Sequence, residues 1–144
     1  MQIVTLDFET FYDKQYSLTK LTTEEYIHDY RFEAIGVATK INENETTWCS
    51  GDHSEIQNYL DAIDWDDSIM VAHNAMFDAA ILSWQFGIKP KRIADTLSMS
   101  RAIDGVNVKH SLAAASARHG LGQKGTEVVA ALGKQRKDFD TEEL

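Results

Sequence analysis

The chain has 144 residues, 43% of them apolar and 26% charged, with a net charge of −9, which bounds it to one folded domain able to bury a core. It has no run of about 18 apolar residues, so no membrane span is expected, and the opening MQIVTLDFET lacks the basic and apolar regions of a secretory signal. The lone Cys49 leaves no internal disulfide and fits a reducing, cytoplasmic setting.

The charge is unevenly spread. Residues 1–83 carry 4 Lys and Arg against 16 Asp and Glu, whereas residues 84–137 carry 10 against 3, and the last seven hold four acids and no base. An acidic half beside a basic half suits a metal site next to a phosphate track; the plainer reading is a solvated surface.

QIVTLDF reads as a first strand that runs straight into Asp7 and Glu9. In a strand, residues two apart share a face, so the two carboxylates point the same way and call for water or a cation. Residues 11–33 read as loop with a short helical turn around TTEEYIHDY. EAIGVATKI (33–41) and TTWCS (46–50), joined by NENE, read as a hairpin. SEIQNYLDAI (54–63) spaces Ile56, Tyr59, Leu60 and Ile63 as a helix, with Ser54 as its N-cap. SIMVAH is a short apolar run of the size of a central strand. MFDAAILSWQFG reads as a helix stopped at Gly87, RIAD as a last strand, HSLAAASARHG as an Ala-rich helix closed by Gly120, and EVVAALGK as a further helical segment. Antiparallel strands followed by alternating strands and helices indicate a mixed α/β sheet flanked by helices, whose sites lie at the carboxyl ends of strands.

A second constellation lies in VAHNAMFDAAIL (71–82). Asn74 and Asp78 are four residues apart on one face of a helix start; read plainly, they are an N-cap and an acid favoured by the helix dipole. If the preceding strand lies beside the first, Asp78 joins Asp7 and Glu9 at one end of the sheet. Three carboxylates there suit two divalent cations, Mg²⁺ or Mn²⁺, as used in phosphodiester cleavage.

DFET, followed some 65 residues later by HNAMFD, resembles the first two motifs of the DEDD (DnaQ-like) 3′–5′ exonucleases. ADTLSMSRA, HSLAAASARHGLGQKG and DFDTEEL extend the likeness to the proofreading domain of a bacteriophage family A DNA polymerase. The resemblance covers essentially the whole chain and implies a ribonuclease H-like mixed sheet of about five strands. It implies Asp7, Glu9 and Asp78 as catalytic metal ligands, with Asp7 bridging two cations. It also implies Phe8, Thr10, Asn74 and Phe77 as contacts to a single-stranded DNA 3′ end, and a polymerase domain following this one. For Phe8 and Phe77 the alternative is the core; for Asn74 it is a simple cap. A stand-alone exoribonuclease carries the same motifs.

The family's third motif, Tyr-x3-Asp or His-x4-Asp, is absent: no Tyr has Asp four positions on, and His73 reaches only Asp78, which already belongs to the second motif. Asp140 and Glu143 form a capping-box pattern at the very end, so the expectation is a single domain, residues 1–144, stopping before its last helix, either weakened in catalysis or acting as a binding fragment. His73 reads as a satisfied strand-end residue, Asp95 as a helix cap with a lesser claim to catalysis, Trp48, Trp65 and Trp84 as core or core-edge residues. Lys109, Arg118, Lys124 and Arg136 are candidate phosphate contacts that no spacing singles out.

Overall fold

A computed structural model describes residues 1–122 and 131–139. The first strand, β1 (Gln2–Thr10), alternates as its sequence demands: Val4, Leu6 and Phe8 are buried, while Thr5 and Asp7 are exposed on the opposite face. It pairs antiparallel with β2 (Ala34–Ile41) and parallel with β4 (Ser68–Ala72). The short edge strands β3 (Thr47–Ser50) and β5 (Arg92–Asp95) complete a five-stranded sheet of order β3-β2-β1-β4-β5. At Gly36 on β2 the indole of Trp48 occupies the space a side chain would need, 2.3 Å from an ideal Cβ, so the hairpin can close only over glycine.

Helix α1 (Thr23–His28) starts on a reciprocal capping box between Thr22 and Glu25. Helix α2 spans His53–Asp61, and its cap is Asp52, two residues earlier than the expected Ser54. Asp52 has Glu55 three positions on, and the pair closes a capping box that Ser54 would lack. Helix α3 (Ala75–Phe86) ends at Gly87, whose φ of 66° is the left-handed stop expected there. Helices α4 (Thr96–Asp104) and α5 (Leu112–Arg118) follow β5. Residues 131–133 of the EVVAALGK segment form a turn; its earlier part, and the Asp140–Glu143 pattern, lie outside the described residues.

The core joins Val4, Leu6 and Phe8 of β1 to Ile27 of α1, Ile56 and Leu60 of α2, and Ile81, Leu82 and Phe86 of α3. Trp65 is buried within it, whereas Trp48 and Trp84, expected at the core or its edge, are exposed, Trp48 lying over Gly36 and Trp84 against His28. Among the described residues no helix is long and apolar enough to cross a membrane.

Candidate active site

The site arises because β1 outlasts its neighbour. The parallel pairing of β1 with β4 runs only to Thr5 opposite Val71, yet β1 continues to Thr10. On that side the Phe8 N–H has no strand to donate to. Asp78, in the first turn of α3, takes the role: its Oδ1 accepts from Phe8 N at 3.1 Å. The contact places a carboxylate beside Phe8, between Asp7 and Glu9 in sequence, and 3% exposed. Burial pushes the Asp78 carboxyl up to about 7, the Phe8 N–H opposes the rise, and the charges of Asp7 and Glu9 add to it. The three acids that the sequence pattern singles out therefore feel one another across the end of β1.

Asn74 occupies the N-cap position of α3 without capping it. Its φ and ψ of 63° and 56° are left-handed, and its side chain makes no cap hydrogen bond. The capping acceptor is Asp95, from the neighbouring strand. Its Oδ1 takes Asn74 N (2.9 Å), Ala75 N (3.2 Å) and Leu97 N (3.0 Å), and its Oδ2 takes the Ser98 hydroxyl (3.0 Å). Partial burial pushes Asp95 up, but these four donors outweigh it and hold the carboxyl below its ordinary range. Asp95 is thus a cap shared by α3 and α4. His73 is likewise satisfied, with Nδ1 on Thr96 Oγ1 (2.9 Å) and Nε2 on the His110 carbonyl (2.8 Å).

Phe8 turns its ring into the core, stacked on Phe86 at 5.8 Å and 4% exposed, so only its backbone faces the acids. Phe77 is half-buried, 5.9 Å from the Tyr26 ring. It lines an open cavity of about 250 Å³ with Phe8, Glu9, Thr10, Tyr12, Ser17, Leu18 and Tyr26. Thr10 Oγ1 lies 2.8 Å from the Tyr26 hydroxyl, which also donates to the Phe11 carbonyl. Tyr12, Leu18 and Tyr26 carry no motif; the sequence signal for them is only an aromatic three positions after Glu9 and an apolar-aromatic loop. Burial, then the Glu9 charge, raise the Tyr12 hydroxyl above its ordinary range. The turn at 131–133 reaches this side of the molecule, where Gly133 N donates to the Tyr12 carbonyl at 2.8 Å.

The basic candidates divide. Arg118 is committed to structure: it bonds Asp104 Oδ2 through Nε (2.9 Å) and a terminal nitrogen (2.8 Å), the Lys109 carbonyl (2.7 Å) and Ser100 Oγ (3.1 Å). Arg136 donates its backbone N–H to Glu33 Oε1 at 2.5 Å, and Lys124 lies outside the described residues. Among the described residues no three His, Cys, Asp or Glu side chains are close enough to hold a metal ion as they stand. The donors at the end of β1 are carboxylate oxygens, the chemistry that suits hard divalent cations.

A mixed five-stranded sheet of order β3-β2-β1-β4-β5, with helices on its faces and acids at the carboxyl end of its first strand, has the ribonuclease H-like fold. A family model described as 3′–5′ exonuclease matches residues 4–135, and the chain belongs to that family, of the DEDD type, whose members generally use divalent metal ions. Among solved structures, Brucella melitensis NrnC aligns with a TM-score of 0.64 and 16% identity over 85% of this chain and 54% of that one. The likeness is one of fold, and this chain spans little more than half of that protein's length. No curated protein matches the chain.

Proposed function

We propose that the chain acts as the proofreading 3′–5′ exonuclease of a DNA polymerase, removing 5′-mononucleotides from a single-stranded DNA 3′ end, with a polymerase domain as its partner. The observation that carries the reading is Asp78, buried on the Phe8 N–H, with burial and the Asp7 and Glu9 charges opposing its ionisation. Such an acid stores repulsion that a cation would relieve. The polymerase setting rests on the likeness of DFET, HNAMFD and ADTLSMSRA to editing domains.

Asp7, Glu9 and Asp78 would hold two Mg²⁺ or Mn²⁺ ions. Asp7 is exposed and Glu9 half-exposed, and the two share one face of β1. When bound, the cations supply Lewis acidity to the attacking water and to the leaving 3′ oxygen. The Phe8 N–H fixes one Asp78 oxygen. The cavity beside Glu9 offers Phe77, Leu18 and Tyr12 as apolar and aromatic walls for the terminal base. With its hydroxyl raised, Tyr12 keeps its proton at neutral pH and serves as a hydrogen-bond donor rather than a base.

A second reading, in which catalysis is weak and binding of metal and single strands persists, is favoured by the acids as they stand, since among the described residues no three are close enough to hold a metal ion. Degradation of 3′-labelled single-stranded DNA and RNA oligonucleotides with Mg²⁺ or Mn²⁺, by this chain and its Asp7→Ala variant, separates them. Stepwise shortening abolished by the substitution supports the nuclease, and the preferred sugar assigns DNA or RNA. Intact oligonucleotide that is nonetheless retained by the chain supports the second reading.

A further inference from the structure

Glu9 stands at the last regular pair of β1 with β2. Gly36 lies opposite Glu9 and Ala34 opposite Thr10, so Ile35 has no counterpart and the register slips between Glu9 and Thr10. Such a slip bends the strand that carries the extra residue and re-aims the side chains around it. The direction of Glu9 therefore depends on what holds the chain on either side of it.

On the N-terminal side the hold is Asp78 of α3, through the Phe8 N–H. On the C-terminal side it is Tyr26 of α1, whose hydroxyl donates to the Phe11 carbonyl and lies 2.8 Å from Thr10 Oγ1. A phenol has one proton. With that proton on Phe11, the Thr10 hydroxyl must donate to Tyr26, and it has no proton left for a substrate. A buried tyrosine hydroxyl needs a partner; this one has two, both within two residues of Glu9.

Tyr26 is itself firmly set. It is 2% exposed; its ring stacks on Tyr16 with centroids 4.4 Å apart and meets Phe32 edge-on at 6.0 Å. The Tyr16 hydroxyl donates to the Tyr26 carbonyl at 2.5 Å. Helix α1 is also tied to the helix that carries Asp78: Phe77 lies 5.9 Å from the Tyr26 ring, and the Gln85 amide donates to the Ile27 carbonyl at 2.8 Å. The two helices together grip β1 on both flanks of Glu9.

We propose that Tyr26 is a positioning residue for Glu9: its hydroxyl fixes the course of β1 at the register slip, so that the Glu9 carboxylate is presented to the cations the acids would hold. The inference rests on the exonuclease reading of Asp7, Glu9 and Asp78 and adds to it a residue that acts through Glu9.

The test is Mn²⁺ binding, followed by electron paramagnetic resonance of the free ion, beside shortening of hexathymidylate. The chains compared are the parent, Tyr26→Phe, Glu9→Gln and the double variant. Tyr26→Phe keeps the ring and its stacking and removes only the hydroxyl. It should weaken Mn²⁺ binding about threefold to tenfold, the scale of one hydrogen bond, and lower kcat by a similar factor with KM unchanged. In the Glu9→Gln background the same substitution should change Mn²⁺ affinity no further, because the carboxylate it positions is gone. Tyr59→Phe is the control. Its hydroxyl lies 2.6 Å from Thr39 Oγ1 and 2.7 Å from Thr47 Oγ1 on the β2–β3 hairpin, so its loss should lower Tm and leave Mn²⁺ affinity and kcat at the parent's values. An equal loss of Mn²⁺ affinity with and without the Glu9 carboxylate, or an equal loss in Tyr59→Phe, makes Tyr26 a core residue only and overturns the proposal. If Mn²⁺ binding and shortening depend on Glu9 while Tyr26→Phe matches its parent, the proposal alone fails. If the parent neither binds Mn²⁺ nor shortens the oligonucleotide, the exonuclease reading falls, and the proposal with it.

Discussion

Asp78 and Asp95 stand on either side of the start of α3, and their surroundings could hardly differ more. Asp95 ends β5 and gathers four donors, three from backbone and one hydroxyl, and its carboxyl is held below the ordinary range. Asp78 is more deeply buried, accepts from Phe8 N, and faces two like charges, which leaves it near 7. A carboxylate saturated with donors is stable as an anion and does structural duty. One that is buried among other acids is stable as an anion only when a cation joins it. Residue type and sheet end are the same in the two cases; the number of donors within reach separates brace from site.

The sharpest way to break this comparison is activity. Asp7→Ala and Asp78→Asn should each lower kcat/KM on a single-stranded oligonucleotide by roughly 10²–10³-fold, the scale seen when one preorganised charge-stabilising group is lost. Asp95→Asn, which keeps an acceptor oxygen, should lower it far less. Equal losses at 78 and 95 would erase the distinction.

Stability against pH tests the same contrast without substrate. Asp78 keeps its proton in the folded chain to about 7, whereas in the unfolded chain it ionises near its ordinary value of 3.8. The folded state is therefore relatively favoured below the unfolded value, and that advantage is lost as pH rises through about 7. In metal-free buffer the loss between pH 5 and pH 8 should be on the order of 2–3 kcal/mol for this group. Urea unfolding at pH 5 and pH 8 should show the parent weakening while Asp78→Asn stays level. Added Mg²⁺ or Mn²⁺ should restore the parent at pH 8 and leave the variant unmoved. A parent that is equally stable at both pH values would contradict the raised carboxyl.

For the brace, Asp95→Ala removes the acceptor of two helix starts at once and should cost about 2–3 kcal/mol, read as a lower urea midpoint. Smaller still is the effect at Asn74. Asn74→Ala should cost about 1 kcal/mol through its left-handed backbone, whereas Asn74→Gly should match or exceed the parent in Tm. If Asn74→Gly also binds hexathymidylate more weakly, its side chain serves substrate rather than fold.

Much of the architecture was legible because period and punctuation agree. Alternation in QIVTLDFET and the glycine after AMFDAAILSWQF state their elements without help. The miss at α2 came from reading apolar spacing before capping chemistry, since Asp52 with Glu55 outcompetes Ser54. Asn74 misled for a related reason: a good capping residue stood at the cap position, but a better acceptor, Asp95, lay 21 residues away in sequence and within hydrogen-bond distance in space. The motif matches Phe8 through its backbone, and the alternation of β1 assigns its ring to the core.

The acids Asp7 and Glu9, their common face, and the helix start that carries Asp78 were determined by local sequence, because side-chain direction in strands and helices follows from backbone period alone. What only the tertiary structure decided was partnership. That β1 extends past β4 and leaves the Phe8 N–H for Asp78, that Asp95 serves two helices, and that Arg118 is tied down all depend on contacts between distant segments. Their energies turn on distances of an ångström or less, and no periodicity along a chain encodes those.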